Sequence, residues 1–253
     1  MKAFLKKEWM EWVRTGRFGL LLLIFALFGI MNPALAKLTP WMMEAFSESL
    51  ADAGIVTAEV TVDAVTSWTQ FYKNIPMGVI VFALLGSGCF TQEYQKGTLI
   101  PVVTKGLSRK KIAGAKSVML LLAWTLAYWL CFGVTYGYNE YFWGNGAGKH
   151  LFFAGCSCWF FGVWIAALLA FFSAVSANSP QALLGTGGIA AVCYLLGMIP
   201  KADRYLPIKL MEGMPLLQGI REPGDYAACI AAAAAVILLS AGLTAVCFEK
   251  RVL

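Results

Sequence analysis

One polar segment, residues 91–116, concentrates the side chains of this sequence that are suited to binding another molecule. It reads TQEYQKGTLIPVVTKGLSRKKIAGAK and carries six Lys or Arg against a single acid, Glu93. Its apolar run at 99–103 is more hydrophobic than a free polar loop would expose. These residue types favour a surface on which a soluble partner docks. The alternative is an ordinary basic loop beside a membrane, which the apolar run disfavours.

Catalytic and metal-binding chemistry finds little support. The seven cysteines lie within or beside apolar runs, as is typical of packing residues, and the single histidine, His150, does not complete a metal site around Cys156 and Cys158. The stretch GNGAGKH at 144–150 is a poor phosphate loop, because His150 stands where Ser or Thr would hold magnesium. We therefore predict no catalytic residue, no metal ligand and no cofactor in this chain.

The composition indicates a membrane protein. Of the 253 residues, 59% are hydrophobic and 13% charged, with a mean hydropathy of +0.69. A soluble domain carries about a quarter charged residues. The net charge of +6 is compatible with nucleic-acid binding, but the basic residues flank apolar runs, where they act as topology signals and contact lipid headgroups. Membrane lipid is a predicted partner and nucleic acid is not.

The apolar runs predict an all-α polytopic membrane protein with one transmembrane domain over residues 1–253. Residues 1–17 form a predicted amphipathic helix in the membrane interface, with Phe4, Trp9 and Trp12 on its apolar face. The other predicted elements are six transmembrane helices at 18–36, 75–91, 117–137, 151–177, 182–199 and 226–248, an outer loop with short helices at 37–74, a polar segment at 92–116 and a broken outer element at 200–225.

The distribution of positive charge predicts the orientation. Six spans place both ends of the chain on one side of the membrane, together with the polar segment. That side then holds most of the 20 Lys and Arg residues. The positive-inside rule therefore predicts cytoplasmic termini in a multi-pass protein of the cell membrane, such as a bacterial plasma membrane.

The polar segment resembles the signature of type-two ABC exporter permeases. In that family a Glu ends the second span, a Gly-Thr-Leu step and a short coupling helix follow, and a Ser-Arg turn precedes a Gly-Lys step into the third span. The matching residues here are Glu93, Gly97-Thr98-Leu99, Ser108-Arg109 and Gly114-Ala-Lys116. The resemblance covers essentially the whole chain. It departs from the family at Gly106-Leu107, where a Pro is expected, and at Pro101 inside the coupling segment.

The resemblance implies a cytoplasmic coupling helix between the second and third spans, within residues 92–116, which we name the coupling segment. It also implies a second permease chain, as a homodimer or heterodimer, and two copies of an ABC ATP-binding subunit that bind ATP and Mg. Gly185 and Gly188 are assigned to the dimer contact or pathway. The residues assigned to coupling are Glu93, Gly97, Thr98, Leu99, Ile100, Val102, Val103, Ser108 and Arg109.

The predicted function is the transmembrane permease subunit of an ATP-driven ABC exporter without an ATPase site of its own. Its aromatic-rich spans favour a hydrophobic or amphipathic substrate, such as a peptide toxin, an antimicrobial peptide, a drug or a lipid. The alternative is a membrane sensor that recruits a cytoplasmic partner without transport. ATP-dependent flux separates the two hypotheses.

Overall fold

The computed structural model of the chain describes residues 2–45, 62–99, 101, 104, 106, 108–146, 148–199 and 202–250. Within these residues the regular structure is helical and no strand occurs. The α-helices are α1 (Lys2–Arg14), α2 (Arg17–Ala45), α3 (Ala64–Gly86), α4 (Thr91–Lys96), α5 (Arg109–Phe142), α6 (Leu151–Val175), α7 (Ser179–Gly197), α8 (Met214–Leu217) and α9 (Ala227–Lys250). Short 3-10 helices occupy Asp203–Tyr205, Pro207–Met211 and Pro223–Tyr226.

Six helical stretches of the described chain are long enough and apolar enough to cross a membrane. A bilayer core of about 30 Å needs about 20 helical residues. The stretches are Arg17–Trp41, Ala64–Lys96, Arg109–Phe142, Leu151–Val175, Ser179–Gly197 and Pro223–Glu249. The chain is a multi-pass membrane protein, and the predicted all-α fold with six transmembrane helices is confirmed.

Two helices extend beyond the spans predicted from the sequence. The helix α2 continues through both of its prolines to Ala45, past the predicted end at 36. The helix α3 begins at Ala64 rather than at 75, because the Asp63 side chain caps it by accepting a hydrogen bond from Thr66 N at 2.8 Å. The predicted outer loop is therefore partly helical, and its residues 46–61 lie outside the described chain.

The helix α5 lies at the centre of the bundle, where it packs against α1, α2, α3, α6 and α9. Its Trp124 is fully buried, with its ring centroid 5.8 Å from that of Phe25 and 5.2 Å from that of Phe82. The helix α6 approaches closely because Gly162 faces this ring, where a Cβ atom would lie 1.9 Å from Trp124. Large aromatic side chains set against glycine thus hold the central helices together.

Between α7 and α9, residues 202–225 form a series of short, interrupted helical turns. Leu210 and Leu217 are buried against the bundle. The Tyr226 hydroxyl donates a hydrogen bond to the backbone oxygen of Glu212 at 2.7 Å. The segment therefore folds back onto the long helices as a compact cap.

Candidate coupling site

The coupling segment begins at the end of the bundle where the first and last helices also meet. The rings of Phe90 and Tyr94 contact Phe248 near the end of α9, with centroids 5.4 and 6.1 Å apart. Arg17, at the start of α2, donates a hydrogen bond to Gln92. The first helices, the last helix and the coupling segment therefore occupy the same end of the bundle.

Three buried charged residues join the coupling segment to α1. The Lys116 ammonium Nζ lies 2.9 Å from Oε2 of Glu8 and 2.9 Å from Oε2 of Glu93. The side chains of Lys116, Glu8 and Glu93 are only 2%, 3% and 5% exposed. The Phe90 ring lies below the ammonium, 5.7 Å from Nζ to the ring centroid. We name Glu8, Glu93 and Lys116 the buried charge cluster.

Lys7 and Glu11, on the more exposed side of α1, extend this cluster. Nζ of Lys7 contacts Glu93 Oε1 and lies 3.1 Å from Glu8 Oε1 and 2.9 Å from Glu11 Oε2. Burial alone would lower the pKa of Lys7, but hydrogen bonds to Glu93 and Glu11 raise it above its usual value. Burial alone would raise the pKa of Glu11, but the hydrogen bond from Lys7 lowers it. Both groups are therefore charged at neutral pH.

The buried charge cluster connects three parts of the chain that are distant in sequence, namely α1, α4 and α5. Burial of a charge costs several kcal/mol, which an opposite charge at hydrogen-bonding distance offsets. Removal of one partner from such a pair costs about 3–5 kcal/mol, because the other charge stays buried and unpaired. The cluster therefore fixes both ends of the coupling segment, near Glu93 and at Lys116, relative to α1.

The same acids have a spacing that could hold a metal ion. Carboxylate oxygens of Glu8, Glu11 and Glu93 lie within 4.8 Å of one another. Lys7 and Lys116, however, place ammonium groups at these oxygens. A hard cation such as Ca²⁺ takes six or more oxygen ligands and would have to displace both lysines. The geometry is that of a salt-bridge network.

The coupling segment leaves the membrane helices through a turn at Gly97. The helix α4 ends at Lys96, and Gly97 has a φ of 65°, a left-handed conformation that glycine adopts without strain. The Thr98 N–H donates to the backbone oxygen of Glu93, and the Gly97 N–H to that of Tyr94, both at 3.2 Å. These two bonds form a Schellman motif, so the glycine ends the helix sharply.

The apolar residues assigned to partner docking lie in different surroundings. Leu99 is 1% exposed and packs inside the chain. Thr98, next to it, is exposed. Ile100, Val102 and Val103 lie outside the described residues. The docking role of these residues stays a prediction, and in this conformation Thr98 rather than Leu99 faces the surface.

Ser108 and Arg109 lie where the coupling segment rejoins the bundle. Ser108 is exposed and extended immediately before α5. The Arg109 guanidinium donates a hydrogen bond to the backbone oxygen of Glu249 at 3.0 Å, and Lys110 Nζ lies 3.2 Å from Glu249 Oε2. This end of the segment therefore contacts the end of α9.

The three aromatic residues assigned to the interfacial helix do not share one environment. Phe4 and Trp12 are buried inside the protein. Trp9 is exposed, and its ring lies against Phe18 with centroids 4.8 Å apart. The helix α1 thus uses most of its aromatic face to pack on the bundle. The lipid-facing interpretation fits Trp9 but not Phe4 or Trp12.

Gly185 and Gly188, predicted at the dimer contact or pathway, also differ. A Cβ atom at Gly185 would lie 2.3 Å from the Phe172 ring of α6, so this glycine permits packing within the chain. A Cβ atom at Gly188 would meet nothing within 4 Å, and the residue is exposed. Gly188 is therefore open to a second chain and Gly185 is half-buried, and the contact itself stays a prediction.

Lys116 belongs to the Gly-Lys step of the family signature, but neither Lys116 nor Glu8 was assigned to the coupling site from the sequence. Glu8 lies four residues from both Phe4 and Trp12 on the buried face of α1, and Lys116 lies four residues after the buried Ile112. A charge within the apolar stripe of a packed helix requires an opposite charge nearby. Two such residues of opposite sign in different helices are the signal that predicts this pair.

Known proteins provide a comparison for these elements. A family model described as ABC-2 family transporter protein matches residues 3–203. The match includes the buried charge cluster, the coupling segment and the transmembrane helices up to α7. No curated protein and no solved structure matches the chain.

Proposed function

Because the chain belongs to the ABC-2 transporter family, we propose that it is the permease subunit of an exporter driven by ATP hydrolysis in a separate subunit. Members of this family associate with an ABC ATP-binding subunit. The proposed complex contains two permease chains and two ATP-binding subunits, which bind ATP and Mg²⁺. The proposed substrate is hydrophobic or amphipathic, such as a peptide, a drug or a lipid, and leaves across the cytoplasmic membrane.

The main structural support for this proposal is the way in which the coupling segment is held in the protein. The segment is fixed at both ends in the buried charge cluster, through Glu93 and Lys116. Between them, Thr98, Pro101 and Thr104 are exposed. A segment with an exposed middle and fixed ends passes the movement of a docked partner to the membrane helices, because its ends cannot move without α4 and α5.

The helix α7 supports the presence of a second permease chain. Its Leu184 is 75% exposed, and Val192 and Leu195 are exposed too. Its small residues, including Gly188, allow another helix to approach closely in a membrane. An apolar face of this kind suits a contact with a second copy or a related chain.

Site-specific photo-crosslinking tests the docking surface. Benzoylphenylalanine would replace Thr98 or Ser108, both exposed, in a chain co-expressed with a candidate ABC ATP-binding subunit from the same genome. We expect both positions to crosslink the ATP-binding subunit. The matched control is Tyr141, which is 83% exposed at the opposite end of α5 and should give no crosslink. Equal crosslinking from Tyr141, or none from Thr98 and Ser108, would contradict the proposal.

Transport requires a separate measurement. Inside-out vesicles that contain the complex should accumulate a fluorescent amphipathic probe only when ATP and Mg²⁺ are supplied. A variant of the ATP-binding subunit that binds but does not hydrolyse ATP is the control. Stable binding of the two subunits without any ATP-dependent flux across a panel of amphipathic probes would favour the sensor hypothesis.

A further inference from the structure

A cleft of about 670 Å³ opens between α5 and α6, at the end of α5 opposite the buried charge cluster. It is formed by the last turns of α5, the loop that follows and the first turn of α6. The lining residues are Phe132, Gly133, Tyr136, Glu140, Asn145, Gly146, Leu151 and Phe152. They include one acid and neither Lys nor Arg. The cleft is therefore mainly apolar and carries negative charge at one place.

The Glu140 carboxylate is held in position by its neighbours. Its Oε2 accepts hydrogen bonds from the backbone N of Asn145 at 3.0 Å and from Asn145 Nδ2 at 2.9 Å. Asn145 is fixed in turn, because it accepts from Trp68 Nε1 and donates to the backbone oxygen of Tyr136, both at 3.1 Å. Glu140 takes part in none of the ion pairs found among the described residues. Its charge is therefore oriented and lacks a cation.

Aromatic rings form the wall of the cleft. Phe132 and Tyr136 stack with centroids 6.4 Å apart and an interplanar angle of 21°. Phe152 is 70% exposed, and its ring centroid lies 5.9 Å from that of Trp129. Gly133 leaves the floor open, since a Cβ atom there would meet nothing within 4 Å. The wall can thus cover an apolar chain without any rearrangement.

The cleft lies across the end of the third span predicted from the sequence, residues 117–137. Glu140 lies in the final turns of α5, and Phe132 lies deeper, about 12 Å along the helix at 1.5 Å per residue. If the third span occupies residues 117–137, as the sequence predicts, Glu140 falls just outside the hydrocarbon core, at the level of the lipid headgroups, and Phe132 falls inside it. The matching ligand has a cationic head and an apolar tail.

We propose that this cleft binds a phospholipid whose headgroup ends in a primary ammonium, as in phosphatidylethanolamine. The ammonium donates hydrogen bonds to Glu140 and lies against the Tyr136 or Phe152 ring, and an acyl chain lies along Phe132. An anionic lipid finds neither Lys nor Arg among the described residues of the lining. A small water-soluble amine is a poorer match, because it has no apolar tail to cover the aromatic wall. The inference does not rest on the proposed transport function.

Lipid retention measured by native mass spectrometry tests the site. The full chain is reconstituted in nanodiscs of phosphatidylethanolamine and phosphatidylglycerol in equal mole parts, and retained lipids are counted after release. We expect the wild type to retain phosphatidylethanolamine preferentially and Glu140→Gln to retain about fivefold less of it. Glu249→Gln makes the same change at an exposed carboxylate beyond the other end of the bundle and should retain as much as the wild type. Nanodiscs with phosphatidylcholine in place of phosphatidylethanolamine should give weaker retention, since that headgroup has no N–H donor.

Equal retention of phosphatidylethanolamine by the wild type and Glu140→Gln would overturn the proposal. Wild-type retention of phosphatidylglycerol or phosphatidylcholine at the level of phosphatidylethanolamine would also overturn it. A second measurement keeps Glu140 intact in case the variant does not fold. Benzoylphenylalanine at the exposed Phe152 should crosslink phosphatidylethanolamine, and capture of a polypeptide instead would count against a lipid site.

Discussion

At the end of the bundle that contains α1, full charges are buried against one another, with Lys116 between Glu8 and Glu93. Towards the opposite end the same central helix is held by neutral groups, where Asn32 Nδ2 donates to the Thr135 hydroxyl at 3.1 Å. Charges attract strongly at short range but are costly to separate once buried. Neutral groups satisfy one another at lower gain and lower cost. The two ends therefore differ in how firmly they hold their helices.

The neutral network links three transmembrane helices. Asn74 Nδ2 donates to Asn32 Oδ1 at 2.8 Å, and Thr135 donates to the backbone oxygen of Gly29 at 3.1 Å. Polar groups in a membrane need partners inside the protein. Such hydrogen bonds contribute on average about 0.6 kcal/mol each. This network positions α2, α3 and α5 without the large penalty that a broken ion pair carries.

This difference suits a protein that receives work at one end and rearranges at the other. If the proposed function is correct, the end with the coupling segment must transmit force. The buried charge cluster is an advantage there because its ion pairs are costly to break. The helices beyond it must change their separation for a substrate to pass. Weak neutral contacts such as Asn32 to Thr135 permit that movement.

The largest effect is expected from Lys116→Met. The change leaves the Glu8 and Glu93 carboxylates buried side by side with the half-exposed Lys7 as a remaining cation, and the free energy of unfolding should fall by about 3 kcal/mol. Thermal unfolding in detergent, followed by size-exclusion chromatography, measures the loss. A triple variant that adds Glu8→Gln and Glu93→Gln should recover most of the stability, because it replaces the charges with neutral amides.

The matched control is Lys110→Met, which removes an exposed lysine from the first turn of the same helix. Its stability should stay within about 1 kcal/mol of the wild type, as for most surface ion pairs. If the Lys116→Met protein were as stable as this control, the buried charge cluster would not fix the coupling segment to α1.

The sequence was sufficient to predict the helical class because six apolar runs are long enough to cross a membrane. Helix boundaries were less predictable, since polar residues continue several helices beyond the hydrocarbon region. The helix α3, for example, begins at Ala64 because Asp63 caps it, and its first turns bury Trp68 against the bundle. A hydropathy pattern indicates which residues lie in the hydrocarbon core of the membrane. It does not indicate where the backbone hydrogen bonds of a helix end.

Part of the candidate site could be predicted from residue types. Gly97 is one example, because a turn out of a helix needs a residue that tolerates a positive φ. Charges in the apolar stripes of α1 and α5 indicate that Glu8 and Lys116 need partners, but that they meet Glu93 was not predictable, because this requires three separate segments to pack together. Leu99 shows the same limit, since its hydrophobicity predicts burial but does not tell whether the chain itself or a partner covers it.

A smaller effect is expected from Asn32→Leu, which removes the centre of the neutral network. Asn74 and Thr135 each lose a hydrogen-bond partner, and the unfolding free energy should fall by about 1–2 kcal/mol. Ile30→Leu, at an exposed position of the same helix, is the control and should change nothing measurable. A loss for Asn32→Leu as large as that for Lys116→Met would remove the distinction between the two ends.

The smallest effect is expected from Glu249→Gln, which breaks the exposed ion pair with Lys110. The bond from Arg109 is to the backbone oxygen of residue 249 and survives the change, so the loss should be about 0.5 kcal/mol or less. At about 1 M salt, where the Debye length is about 3 Å, the difference from the wild type should vanish. The loss caused by Lys116→Met should persist at that salt concentration, because its partners are buried. If the stability lost in Glu249→Gln did not change with salt concentration, the contact between α5 and α9 would behave like the ion pairs of the buried charge cluster. It would then not be a surface ion pair.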